Sequence, residues 1–251
     1  MTKPLEAEYP QLKINDRIIV ALDVATADEA RAIVAELRGS VGAFKIGMQL
    51  FTSAGPDLVR EFATSSLKIF LDLKFHDIPN TVAKAAVEAA RLGVWMLNVH
   101  TLGGGEMMRQ TVEEVDAVCK RETLARPLII GVTVLTSADR ETLRQVGIDR
   151  EPETVAVELA SLAAEYGLDG VVASPLEAEA IRRSNANKDF LIVTPGIRAD
   201  FATGDDQKRV TTLGKALAIG ADFAVIGRPI TQAEDRLAAL EKIVDSARNE
   251  N

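Results

Sequence analysis

The stretch Lys68-Ile-Phe-Leu-Asp-Leu-Lys-Phe-His-Asp-Ile-Pro-Asn-Thr81 reads as a buried strand whose C-terminal end carries Asp72, Lys74 and Asp77. Side chains alternate along a strand, so Asp72 and Lys74 share one face and Leu71 and Leu73 share the other. Two carboxylates and an ammonium at one strand end are costly to bury unless they pair. Such a cluster also shifts pKa values, which proton-transfer chemistry requires.

Working outward, short apolar runs recur at residues 18–23, 43–47, 68–74, 96–100, 128–134, 170–174, 191–196 and 223–227. Helix-periodic segments separate them at 28–38, 56–63, 81–92, 106–121, 153–166, 176–184, 211–220 and 231–247. In the first of these, Ala30, Ile33, Val34 and Leu37 fall at helical spacing. Eight alternating units predict an α/β fold with a parallel sheet closed as a TIM (β/α)8 barrel. An open doubly wound sheet is the alternative. No Pro/Gly/Ser linker or charge run divides the chain, so residues 1–251 read as one barrel domain. Two connections are long and polar. Residues 136–150 carry an extra helical turn, and residues 197–210 lack periodicity, as lids and binding loops often do.

Composition narrows the function. Hydrophobic residues make up 47% and charged residues 26%, enough to build a core and too apolar for a disordered chain. The net charge of −8 argues against nucleic acid or an anionic membrane surface as partner. Sparse aromatics, 4%, offer no stacking platform for bases. The lone Cys119 excludes an internal disulfide and fits a reducing compartment. The opening MTKPLEAEYPQLKIND has no apolar signal region, and no apolar run reaches the ~20 residues of a membrane span. A cytoplasmic location is expected.

In a barrel the active site lies where the strands end. Those ends carry Asp23, Lys45, Asp72, Lys74, Asn98, His100, Thr136, Arg198 and Arg228, with Asp77 just beyond the third strand. Ion pairs explain any one of these, but not all of them at one end of an apolar barrel. Barrels often bind phosphate between the loops after strands seven and eight. There Gly196 and Gly227 leave room for close backbone approach, and Arg198 and Arg228 suit a dianion. Gly204 fits a hinge and Gln207 a cover over the phosphate. His76 and His100, the two histidines, show no zinc-like spacing and read as structural.

These motifs resemble the orotidine 5'-phosphate decarboxylase family along nearly the whole chain. The matching elements are ALDVA around Asp23, FKIGMQLF around Lys45, FLDLKFHDIPNTV from Phe70 and VTVLTS from Val132, then TPGIR from Thr194, DDQKR from Asp205 and VIGRPI from Val225. The resemblance implies cofactor-free decarboxylation of orotidine 5'-monophosphate to UMP, with no metal. It makes Lys74 the acid that protonates pyrimidine C6, within a charged array of Lys45, Asp72 and Asp77. The flanking carboxylates are expected to hold Lys74 protonated despite burial. It assigns Asp23 and Lys45 to the ribose hydroxyls, Thr136 to the pyrimidine, and Gln207, Arg198 and Arg228 to the phosphate, where Gly227 lies. It also implies a homodimer in which Asp77, followed by Thr81, reaches into the neighbouring site.

Two other readings remain. Magnesium-dependent sugar-phosphate enzymes related to 3-keto-gulonate 6-phosphate decarboxylase share an Asp-x-Lys-x-x-Asp strand motif; Lys45 and Gln207 argue against them. A non-catalytic phosphate-binding barrel would gain stability by losing its buried like charges, and this chain retains them.

Overall fold

The computed structural model describes residues 12–197 and 211–250. Eight parallel strands lie in sequence order, and β8 pairs with β1 to close the barrel, which excludes the open sheet. They are β1 (Ile18–Ala21), β2 (Ala43–Gly47), β3 (Ile69–Phe75), β4 (Met96–His100), β5 (Leu128–Val132), β6 (Gly170–Val172), β7 (Leu191–Thr194) and β8 (Phe223–Ile226). The helices are α1 (Ala27–Leu37), α2 (Met48–Thr64), α3 (Pro79–Arg91), α4 (Gly104–Glu122), α5 (Arg140–Gln145), α6 (Pro152–Glu165), α7 (Pro175–Ser184), α8 (Leu213–Ala218), α9 (Arg228–Thr231) and α10 (Arg236–Asn249). Among the described residues no helix is long and apolar enough to cross a membrane.

The period of two along each strand divides the core into two layers. Ile19, Phe70, Met96, Ile130, Val193 and Phe223 belong to the cluster that fills the barrel. Their neighbours Ile18, Leu71, Leu97, Ile129 and Ile192 face outward and pack under the helices. Both layers are largely apolar, so β1, β5 and β8 read as continuous hydrophobic runs, while β2, β3 and β4 are interrupted by Lys45, Asp72, Lys74 and Asn98.

Local chemistry starts the helices where the sequence supplies caps. The Thr26 hydroxyl accepts from the Glu29 N–H, and the Glu29 carboxylate accepts from the Thr26 N–H at 2.9 Å. Ser174 and Glu177 repeat this capping box at α7. In the long connection after β5, Asp139 caps α5, which is the expected extra turn. Two segments differ from their periodicity. The helix expected at 231–247 is divided into α9 and α10, because the Asp235 side chain accepts the Ala238 N–H at 2.9 Å and restarts the helix. The helix expected at 56–63 begins earlier, at Met48, and is broken at Gly55, whose φ of 71° is outside the helical region.

At the N-terminal ends of the strands, polar staples replace ladder bonds. Asp169 accepts the Ile129 N–H and pairs with Arg126, both at 2.7 Å. Asp222 accepts the Ile192 N–H at 2.7 Å and pairs with Arg182 at 2.6 Å. They fix this end of the barrel and leave the other end open for chemistry.

Gly170 sits where β6 passes between β5 and β7, paired with Ile130 and Leu191. A Cβ there would run into the Leu191 carbonyl oxygen. Gly170→Ala should therefore lower stability by ~1–3 kcal/mol, read from the urea midpoint. An unchanged midpoint would mean that β6 and β7 spread without cost.

Candidate active site

The C-terminal ends of the strands enclose a cavity of ≈ 470 Å³. Asp23, Lys45, Asp72, Lys74, Thr136, Gly227 and Arg228 all line it, so seven of the residues singled out in the sequence converge on one space. Three cations face two carboxylates among these, which makes the cavity locally positive inside a chain of net charge −8.

The polar residues form a chain of contacts. Lys45 on β2 reaches Asp23 Oδ1 and Asp72 Oδ2, each at 3.1 Å. Lys74 Nζ lies 2.6 Å from the other Asp72 oxygen, Oδ1. Asn98 Nδ2 donates to that same Oδ1 at 2.7 Å. Asp72 is thus buried with both oxygens engaged. Burial alone would raise its pKa, but Lys45 and Lys74 hold the carboxyl below its ordinary value. Burial likewise pulls the Lys45 ammonium down, and Asp72 and Asp23 more than reverse it, so its pKa lies above the usual lysine value.

The strand that carries Asp72 and Lys74 is irregular. Leu71 pairs with Leu97 and Phe75 with Val99, so four steps on β3 match two on β4. Lys74 takes up this excess with φ of +53°, a left-handed conformation unusual for a side chain of this size. Its N–H donates to a side-chain acceptor, Asn98 Oδ1, at 2.8 Å. Alternation still holds through the irregularity, since Leu71, Leu73 and Phe75 all pack on the helix side.

Four expected residues are not in this constellation. Asp77 is exposed, does not line the cavity, and accepts the Ile78 N–H at 2.6 Å. Thr81 is exposed on α3. Arg198 and Gln207, with Gly204, lie outside the described residues. Conversely, Gln232 lines the cavity and was not singled out; its signal is its place four residues beyond Arg228. Asn98 stands at a strand end in the sequence, where pattern alone assigns it no role. A Cβ on Gly227 would meet no atom closer than 3.5 Å, so the space there is open. Among the described residues no group of three His, Cys, Asp or Glu is placed to hold a metal.

Beyond Lys74 the rings of His76 and His100 stack, with centroids 5.3 Å apart. His100 Nδ1 is buried without a hydrogen-bond partner among the described residues. Burial lowers the His100 pKa, and His76 and Lys74 push it the same way. A histidine lowered in this way binds fewer protons folded than unfolded. Its contribution is therefore complete above the unfolded value of ~6.5 and is lost as pH falls below it. Wild-type Tm should fall between pH 7.5 and 5 more steeply than that of His100→Gln. Equal slopes would show that His100 does not resist protonation.

A profile described as the orotidine 5'-phosphate decarboxylase / HUMPS family matches residues 16–243. The orotidine 5'-phosphate decarboxylase of Syntrophotalea carbinolica is 53% identical over 234 residues, 93% of this chain and 96% of the relative. That of Syntrophomonas wolfei is 51% identical over 235 residues, with 93% and 98% covered. The crystal structure of orotidine 5'-phosphate decarboxylase from Lactobacillus acidophilus superposes with a TM-score of 0.80 at 36% identity, covering 92% of this chain and 98% of that one.

Proposed function

The chain belongs to the orotidine 5'-phosphate decarboxylase / HUMPS family, and from that premise we propose how its residues share the work. It decarboxylates orotidine 5'-monophosphate to UMP and carbon dioxide in pyrimidine biosynthesis. The observation that carries the assignment of roles is the run Asp23–Lys45–Asp72–Lys74 in the barrel mouth.

The chemistry fits that run. Breaking the C6–carboxylate bond leaves an electron pair on C6 in the plane of the ring, where the π system cannot delocalise it. A fixed cation beside C6 stabilises that charge. Lys74 is assigned this role, and its Nζ then gives a proton to C6 while carbon dioxide leaves. Asp72 holds the ammonium in place from one oxygen and Lys45 from the other. Asp23 and Lys45 are assigned to the ribose hydroxyls and Thr136 to the pyrimidine. Arg228 beside the open space at Gly227 is assigned to the phosphate, with Arg198 and Gln207 from the stretch outside the described residues. No cofactor is needed in this scheme, because the charge is met by the lysine itself. Residues 1–251 act as one catalytic domain, and the reduced, lone Cys119 fits a cytoplasmic enzyme.

The enzyme is further assigned as a homodimer with shared sites. Asp77 and Thr81 are exposed and do not line the cavity of their own chain. Exposed Ile78, Leu102, Leu135 and Val146 lie near them in sequence or around one apolar hollow of ≈ 220 Å³ that also borders His76. A second copy covering this surface would bury it and bring Asp77 into the neighbouring site.

Lys74→Ala should abolish turnover while the barrel persists, with a loss beyond the ~10²–10⁴ of acid–base catalysis. The assay is the fall in pyrimidine absorbance with EDTA present, which also separates this reaction from a magnesium-dependent one. A folded Lys74→Ala enzyme within tenfold of wild-type kcat overturns the assignment.

Mixing inactive Asp77→Asn chains with inactive Lys74→Ala chains should restore activity, because one of the two sites in a heterodimer is then wild type. If chain exchange is confirmed by native mass spectrometry and activity stays absent, the shared site is wrong.

A further inference from the structure

Asn98 is fully buried on β4, does not line the cavity, and makes its two side-chain hydrogen bonds to the two residues closest to the chemistry. The donor pattern leaves one way to place its amide. The Lys74 N–H can only donate, so it takes Oδ1; the Asp72 carboxylate accepts, so it takes Nδ2. We propose that Asn98 is the positioning residue of the reaction, holding the β3 irregularity closed and thereby aiming the Lys74 ammonium.

Three observations meet at this side chain. First, four steps along β3 match two along β4 at this point, so the regular ladder is interrupted around Lys74. A buried N–H without a partner costs roughly 1–3 kcal/mol. Asn98 Oδ1 supplies the acceptor for the Lys74 N–H. Second, Lys74 sits at φ +53°, which a residue with a Cβ holds only when its surroundings over-determine it. The bond from its own N–H is the closest constraint. Third, Nδ2 and Lys74 Nζ share Asp72 Oδ1, at 2.7 and 2.6 Å, so the amide fixes the carboxylate against which the ammonium rests. Backbone and head group of the same lysine are thus both set by one amide.

A filler of the core would need none of this. An apolar residue of similar size would pack between Met96 and His100 without polar cost to itself. It would, however, orphan the Lys74 N–H and leave Asp72 Oδ1 held by the Lys74 ammonium alone. Lys74 could then relax toward an ordinary strand conformation, and its Nζ would leave the position that C6 requires. A misplacement of about 1 Å costs on the order of 10²-fold in rate.

The inference rests on Lys74 being the proton donor, so Lys74→Ala is measured alongside. The decisive variant is Asn98→Asp. The ionisable groups around position 98 are Asp72 and Lys74 on β3, Lys45 on β2 beyond Asp72, and His100 two residues on; β5 presents only apolar residues. At pH 8 the new carboxylate would face Asp72 and could not donate to it. Once protonated, it has the shape and hydrogen-bond pattern of the amide, one oxygen accepting from Lys74 N–H and its O–H donating to Asp72. Asn98→Asp should therefore show kcat reduced by about 10²-fold at pH 8 with KM little changed. Its activity relative to wild type should then rise by up to about tenfold per unit as pH falls, until the carboxyl is protonated. A residue that only supports the fold would give no such recovery. Because either Asn98→Asp or Asn98→Ala risks misfolding, amide exchange is measured on the wild-type chain as well. The Lys74 N–H should exchange as slowly as the ladder amides of β3. Fast exchange at Lys74, wild-type kcat in folded Asn98→Asp at pH 8, or a loss that is flat with pH would each overturn the proposal. If Lys74→Ala is inactive in the same assays, such a result removes the role of Asn98 alone; an active Lys74→Ala removes the reading beneath it.

Discussion

The carboxylate of Asp72 is the constraint on which the mouth of this barrel depends. It is buried, and an unpaired buried carboxylate costs several kcal/mol. Its neighbours therefore have little freedom. One oxygen takes Lys45 from β2, and the other takes Lys74 from its own strand and Asn98 from β4. Three adjacent strands must end at matching heights for these contacts to exist. The register of β2 against β3, with Gly47 opposite Asp72, supplies that height.

The price of the arrangement is local strain. Lys74 is held in a left-handed conformation that costs of order 1–3 kcal/mol, beside a break in the regular pairing of β3 and β4. Nothing in the packing of the barrel asks for it, since the outward-facing Leu71, Leu73 and Phe75 pack on the helix side as in a regular strand. Strain and buried charge concentrated at one strand end, in a fold otherwise built of apolar layers, mark where stability gives way to function.

The two ends of the barrel use the same residue types for opposite purposes. At the closed end Asp169 and Asp222 each accept a backbone N–H and pair with an arginine, which completes the hydrogen bonding of the strand starts. At the open end the carboxylates of Asp23 and Asp72 instead hold lysines that line a cavity. Arginine cannot lose its proton, whereas a lysine ammonium can serve as an acid.

Much of this was written in local pattern. Apolar runs and helical spacing gave the eight units and therefore a barrel, because periodicity depends only on neighbours in the chain. Charged residues at the ends of those runs gave Asp23, Lys45, Asp72, Lys74 and Arg228, which do meet in one cavity. Other features depended on partners far away in sequence. The extra residues in β3 and the task of Asn98 arise from pairing across 24 to 26 positions, which no local spacing encodes. The break between α9 and α10 was legible only as an Asp235 that could cap, and a capping residue inside a periodic segment is ambiguous until the chain turns there. Asp77 follows Lys74 closely in sequence, but the strand ends at Phe75, and past that point alternation no longer says where a side chain lies; in the proposed homodimer its place in the array depends on a second chain. Composition and spacing thus determined which residues were available for chemistry, and the register of the closed sheet decided which of them touch.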